Sequence, residues 1–236
     1  MLQSVITIGN LEIELIRKDV KNVHLSVHPP DGRVTLVAPT QTREDVARAY
    51  AISRLRWIER QQSTLRAQAR ETGRSYVTRE SHNVWGRRYL LEVREVPEKP
   101  SFTLSHTALT MTVRPGTSAQ TRARLMDEWH RSLLHEAIPA LIAHWEELLG
   151  VRVRKYFLQK MKTRWGSCNP VKGHIRLNTE LVKKPREMLD YVILHEMAHL
   201  IDPTHGARFQ AVLNEHWPHW RELRAELNAL PLGSPP

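Results

Sequence analysis

Leu189-Asp190-Tyr191-Val192-Ile193-Leu194-His195-Glu196-Met197-Ala198-His199-Leu200-Ile201 is the stretch on which the reading of this chain turns. Leu189, Val192, Ile193, Met197, Ala198 and Leu200 recur at helical spacing and would anchor a helix in a core. Positions i and i+4 of a helix share a face, so His195 and His199 can hold one ion between them. Glu196 stands next to the first of them, within reach of a water on that ion. Burying two imidazoles and a carboxylate on an apolar helix demands partners, and an ion supplies them. Asp202-Pro203 ends the helix, because the residue before a proline is pushed out of the α region. The chain can then turn back and offer His205 as a third ligand. Glu215 and Glu222, further along, compete for that place. His205 is preferred because His205-Gly206-Ala207-Arg208-Phe209 reads as the start of a docked helix.

The chemistry of such a site is specific. Zinc favours tetrahedral nitrogen ligation, and three protein ligands leave a fourth position open. Zinc lowers the pKa of water from 15.7 to about 7. Glu196 would take that proton and return it to a leaving amine. One zinc per chain is expected. With 13 His in 236 residues, random placement yields such a pentad with roughly 6 % probability, and roughly 0.3 % with a further His ten residues after the first. His135-Glu136 opens the same way, but Pro139 occupies the second ligand position.

Composition bounds the remaining possibilities. Hydrophobic residues at 41 % and charged residues at 25 % exclude a wholly disordered chain. No apolar run approaches the roughly 18 residues of a membrane span, and Met1–Leu15 lacks a signal-like layout. Cys168, the one cysteine, excludes an internal disulfide and a cysteine-based zinc cage. A soluble, cytoplasmic protein without membrane contact is expected. The net charge is +10, and residues 151–184 hold ten basic residues against one acidic. That field suits an anionic partner, either nucleic acid or an acidic polypeptide. A solvated basic face explains it equally well, and no nucleic-acid motif accompanies it.

The pattern divides the chain into a β-rich N-terminal region 1–117, a catalytic region 118–230 and a flexible tail 231–236. Strand alternation runs through residues 4–38, with a turn at Pro29-Pro30-Asp31-Gly32. Thr42 reads as an N-cap with Asp45 three residues on, opening one long helix over 43–70. Val46, Ala49, Ile52, Leu55, Ile58 and Leu65 would face its core, and Arg48, Arg54, Arg60, Arg66 and Arg70 its solvent side. Strand patterns return over 75–114. Ser118 caps a helix over 119–149 with Leu125, Trp129, Leu133, Ile138, Leu141, Ile142, Trp145 and Leu148 as its stripe. Pro139 should kink or split it, and Gly150 ends it. Strands at about 151–161 and 173–178, a helix from Pro185 and two short helices follow. No internal repeat is visible in the sequence.

Arg164-Trp165-Gly166-Ser167-Cys168, then His174-Ile175-Arg176-Leu177-Asn178, then the His195–His199 helix, then His205-Gly206 with Phe209, come in an order that resembles the YgjP-like metallopeptidases, relatives of the SprT-like zinc proteases. The resemblance is strong over about 150–220 and looser across the N-terminal half, where Trp57-Ile58 fits. It implies an α+β fold with a zincin-like core, a mixed sheet plus an active-site helix, after a β-rich part with one long helix. It implies His195, His199 and His205 as zinc ligands and Glu196 as the acid/base. The ligand spacing also equals that of the metzincins, but Asp202 replaces their glycine and no methionine follows Met197.

Remaining positions have secondary roles. Zincins commonly bind substrate along a sheet edge, and His174, Ile175, Arg176 and Asn178 are the expected edge. Arg164, Tyr191 or His174 could stabilise the transition state. Asp190 or Asp202 could hold a ligand imidazole. Cys168 reads as a packing residue in a tight turn, and His216 and His219 as a surface turn. The expected function is zinc-dependent cleavage of an extended or unfolded polypeptide, with the N-terminal region accessory or substrate-guiding. The rivals are a DNA- or RNA-associated protein using 151–184, and a metal-stabilised scaffold without catalysis.

Overall fold

The computed structural model describes residues 2–28, 32–67 and 74–230. Pro29, Pro30 and Asp31 of the expected turn, the side chains of Leu65, Arg66 and Arg70, and the expected tail 231–236 lie outside the described residues. The chain is a mixed α+β protein that divides into two compact units, 1–71 with 229–236, and 72–228. The boundary expected at 117/118 therefore falls inside the second unit. The sheet formed by residues 81–113 groups with the later helices because its hairpin tip docks on them.

The first unit holds β1 (Leu2–Ile8), β2 (Leu11–Lys18), β3 (His24–His28) and β4 (Arg33–Pro39) in the order β1-β2-β4-β3. The outer pairs are antiparallel and the central pair β2/β4 is parallel. Gly9, at φ +58°, opens the two-residue connection of the first hairpin. Ile13 and Leu15 on β2 and Val34, Leu36 and Ala38 on β4 alternate into the core. Ala47, Ala51 and Ile58 close over them.

The expected single helix is two, α1 (Glu44–Ser53) and α2 (Leu55–Ala67), because Arg54 leaves helical geometry at φ −110°, ψ 6°. Thr42 does not cap α1. Arg43 holds the cap position without a side-chain bond, while the Thr42 carbonyl accepts from Arg17. The buried face is also one residue from the expected one: Ala47 and Ala51 are inside, and Val46 and Ile52 are exposed. Small residues let α1 approach the sheet closely, which hydrophobic periodicity alone does not register.

The second unit repeats the same sheet plan. β5 (Ser81–Val84), β6 (Arg87–Glu95), β7 (Ser101–Leu104) and β8 (Ala108–Val113) run β5-β6-β8-β7, with β6/β8 parallel. Trp85 and Gly86 join β5 to β6 with φ +51° and +76°, the successive positive values of a primed hairpin turn. Trp85 N–H donates to the Val182 carbonyl at 2.7 Å, and the Arg186 guanidinium lies 4.8 Å over its ring. A side chain at position 86 would meet Pro185 at 2.9 Å. The hairpin tip thus abuts the short 3-10 helix Thr179–Lys183 and the start of α4 (Arg186–Ala198).

α3 (Ala119–Leu149) is capped by Ser118, which accepts from Thr121 N–H, and is closed by Gly150 at φ +63°. Pro139 does not split it. The proline is on the exposed side, where water can satisfy the carbonyl that its missing N–H leaves unpaired. The deepest line is Met126, His130, Leu134, Ile138, Ile142 and Trp145, displaced from the expected stripe in its first half. Leu148 is exposed. A third sheet, in the order β10-β11-β9, comprises β9 (Lys155–Gln159), β10 (Gly166–Asn169) and β11 (His174–Asn178). α5 (Ala207–His216) and α6 (Trp220–Ala229) complete the chain. Among the described residues, no helix is long and apolar enough to cross a membrane.

Two histidines of this unit are core residues: His82 on β5 is 3 % exposed and His130 on α3 is 5 % exposed. Burial lowers His82 to a pKa of about 4 and His130 to about 3. Both are neutral in the folded protein but would bind protons once unfolded, below the ordinary value near 6.5. Their contribution is therefore complete above about pH 6.5 and is lost as pH falls towards 4 and 3. Urea unfolding between pH 7 and 4 should show stability falling with acid. His130→Leu should reduce that slope by about one proton's worth, at most about 1.4 kcal/mol per pH unit.

Candidate active site

The helix α4 carries the site because it is buried on nearly every side. Met188, Leu189, Tyr191, Val192, Ile193, Leu194, Met197 and Ala198 are all within the core, and so is Glu196. One turn apart, His195 and His199 emerge half-buried at its C-terminal end. His199 is the C-cap, and the chain then reverses. Asp202 accepts at its carboxylate from Thr204 N–H (3.0 Å) and Thr204 hydroxyl (2.8 Å). These bonds hold its carboxyl below the usual range. A Cβ at Gly206 would lie 2.9 Å from that carboxylate and 3.0 Å from the Thr204 hydroxyl, so a side chain there would push on the turn. The result is that His205 meets His195 and His199.

Ligand atoms of the three histidines lie within 4.8 Å of one another. His195 Nε2 and His205 Nε2 are 3.3 Å apart. Two nitrogens each about 2.05 Å from a tetrahedral zinc stand about 3.3 Å apart, so the spacing fits that ion. The opposite ring nitrogens have partners. His199 Nδ1 donates to the Asp202 carbonyl at 3.2 Å, and His195 Nδ1 lies 3.4 Å from the Tyr191 hydroxyl. Those bonds leave Nε2 free for an ion. Phe209, fully buried on α5, packs within 4.9 Å of all three imidazole rings and stacks on His199. Burial, then the neighbouring histidines, lower His195 to about 3 and also lower His205. Both are therefore neutral at pH 7, the form that binds metal.

Glu196 is 6 % exposed. Burial raises its pKa to about 8, against the opposing pull of the Arg164 charge. Its carboxylate packs on the backbone of β10: a Cβ at Gly166 would fall 2.5 Å from Glu196 Oε1. Gly166 is thus required for space. The loop before β10 is fixed by Asn178, whose side chain bonds Met161 and donates to the Arg164 carbonyl at 2.8 Å. Trp165 is buried with Lys184 5.6 Å over its ring, next to Pro185 at the start of α4.

A cleft of about 520 Å³ opens over the histidines, and Arg164, Gly166, Tyr191, Glu196 and Arg224 line it. The expected substrate edge is not there. β11 pairs with β10 on one side and β9 on the other, so its hydrogen-bonding groups are already used. His174, Ile175, Arg176 and Asn178 are absent from the cleft lining. Ile175 and Asn178 are buried, and Asn178 braces the Arg164 loop. β10 and β9 are the edge strands, and of the two it is β10 whose residues Gly166, Ser167 and Cys168 line the cleft. The alternation that marks longer strands is missing in its four residues, which is why only its neighbour was legible.

Other expected residues are placed clearly. Asp190 accepts from Trp145 Nε1 at 2.6 Å and ties α3 to α4. Asp202 reaches His199 through its backbone carbonyl. Burial, then Glu196, raise the Cys168 thiol to about 11, so it stays protonated. His216 packs on Trp145, and Glu222 pairs with His219 on the surface. Glu215 is exposed, and neither glutamate lines the cleft. Phe209 was expected only as part of the docked helix start, and Arg224 and Asn228 were not expected at the site. Helical spacing groups Arg224, Leu227 and Asn228 on one face, but nothing in the sequence places that face on the cleft.

The sequence matches a family model, that of the YgjP-like metallopeptidase domain, over residues 21–230. No curated protein matches it. Solved structures similar to it include the metallopeptidase zymogen abylysin of Pyrococcus abyssi, at 22 % identity and a TM-score of 0.35, covering 37 % of this chain and 89 % of that one. The metallopeptidase zymogen jannalysin of Methanocaldococcus jannaschii is similar at 22 % identity and 0.33, covering 37 % and 90 %. The family match spans nearly the whole chain. The chain belongs to the YgjP-like metallopeptidase family.

Proposed function

We propose that the chain is a zinc endopeptidase with a zincin-like catalytic core, hydrolysing peptide bonds in extended or unfolded polypeptide. The observation that carries this reading is the tetrahedral-edge spacing of His195 and His205 beside a buried glutamate. His195, His199 and His205 would hold one zinc through Nε2. Zinc bound there supplies Lewis acidity that brings a water's deprotonation near neutral pH. Glu196 accepts the water's proton and delivers it to the departing amine, a role that a pKa near operating pH suits. Arg164, whose charge acts on Glu196, is the donor for the developing oxyanion. Tyr191 orients the His195 imidazole by accepting from Nδ1. The edge of β10, in place of β11, receives the substrate as an added strand. The N-terminal region is accessory, and residues 21–71 within it share the family match.

A second reading concerns the outer face of the third sheet. Lys155, Phe157, His174 and Arg176 share one face by register, opposite to buried Ile175 and Leu177. Lys155 and Arg176 lie 5.0 and 5.5 Å from the Phe157 ring. A basic face around an aromatic suits single-stranded nucleic acid. Binding of a fluorescent oligonucleotide should weaken steeply with salt and fall with Arg176→Ala. No binding at low salt removes this reading.

Elemental mass spectrometry should find one zinc per chain, kept in Glu215→Ala and lost in His205→Ala. Glu196→Ala should keep the zinc and lose about 10²–10⁴-fold in hydrolysis of a denatured protein. Gly166→Ala should do the same, since its methyl would displace the Glu196 carboxylate while leaving the histidines in place. Absence of zinc in the wild type after metal is supplied would overturn the reading.

A further inference from the structure

The cleft carries more cationic than anionic side chains. Its lining holds one carboxylate, Glu196, and two guanidinium groups, Arg164 and Arg224. The Arg164 charge opposes the rise in the Glu196 pKa. The Arg224 charge acts on His195, His205 and Tyr191. Arg224, Leu227 and Asn228 fall at i, i+3 and i+4 of α6, and all three line the cleft. Leu223 and Leu227 are buried and seat the helix firmly. The neighbouring Arg221 is occupied: it lies 4.4 Å over Trp220 and donates to Asn214. Neither the Arg224 guanidinium nor the Asn228 amide has a hydrogen bond or ion pair among the described residues. A cation and an amide one turn apart therefore line a cleft in which Glu196 is the one carboxylate among the described lining residues.

We propose that Arg224, with Asn228 beside it, is a specificity-determining residue that binds a carboxylate of the polypeptide substrate next to the scissile bond. The inference rests on the peptidase reading for its setting, but the recognition it describes is separable from turnover. A planar guanidinium matches a carboxylate through two parallel N–H bonds, and a carboxamide N–H supplies a third. The carboxylate comes either from an Asp or Glu side chain or from the free C-terminus of the chain being cut.

Calorimetry on the zinc-loaded protein tests this without turnover. Benzylsuccinate offers one carboxylate to the metal and a second to Arg224, whereas 3-phenylpropionate offers only the first. The wild type should bind benzylsuccinate about tenfold more tightly, as a charge-assisted bond implies. Arg224→Gln should bring the ratio close to one, and Arg224→Lys should recover part of it. An equal ratio in the wild type, a ratio unchanged in Arg224→Gln, or no binding of either compound overturns the proposal. Mass spectrometry of a digested denatured protein separates the two sources. Internal cuts beside Asp and Glu identify the side chain, and trimming from the end identifies the terminus. Loss of hydrolysis with the calorimetric ratio intact would sink the peptidase reading alone.

Discussion

Everything at the site depends on one close approach, the Glu196 carboxylate against the backbone of β10. A carboxylate that is 6 % exposed would ordinarily be forced out to water. Here α4 is fixed by its apolar residues on nearly all sides, so the group cannot swing away. Gly166 gives it room, and Arg164 supplies the opposing charge. The strand and loop that carry Gly166 and Arg164 are in turn tied down by Asn178 and by Trp165 under Lys184. The residues Arg164 to Cys168 thus act as the wall that defines where the glutamate can be.

The histidines are governed by a different economy of bonds. Each α4 imidazole commits Nδ1 to a protein partner, which directs Nε2 inward. The return of the chain to deliver His205 uses an Asp202–Thr204 turn, a glycine set close against that turn's side chains, and Phe209 as a common packing surface. Each of these residues helps decide whether three nitrogens converge. The hairpin tip at Trp85 and Gly86 does comparable work at the other end of α4, fixing where the helix begins.

Much of this was legible in the sequence. The i, i+4 histidines, the adjacent glutamate and the third histidine past Asp202-Pro203 come together as spacing requires. Ser118 and Gly150 bound α3 as cap chemistry dictates. What was not legible has physical reasons. The break at Arg54 lies in a stretch whose propensities are helical on both sides. Ala47 and Ala51 hide the buried face of α1, because alanine contributes little to a periodicity argument. His130 lies on a core line that polar residues normally interrupt. Which strand of the third sheet is the edge depends on pairing across the chain, and β11, the stronger strand by sequence, is stronger because it is interior. Arg224 reaches the cleft only through the packing of α6, which no local pattern encodes.

The two four-stranded sheets share an arrangement in which antiparallel outer pairs flank a parallel centre, and β9 and β11 of the third sheet are also parallel. This carries a kinetic consequence. A hairpin such as β1/β2 or β5/β6 can close in microseconds, using neighbours in the chain. A parallel pair cannot, because its strands must first be separated by a crossover and then brought back together. β2 must wait for β4, and β6 for β8, so each sheet assembles from two hairpins that zip together through their centre. Non-local closure of this kind slows folding. β10 belongs to the last sheet in the chain, where it pairs antiparallel with β11 across a four-residue connection, while β9 must be recruited in parallel. The wall of the cleft can therefore close early as a hairpin of its own, and the β9 side of that sheet sets later.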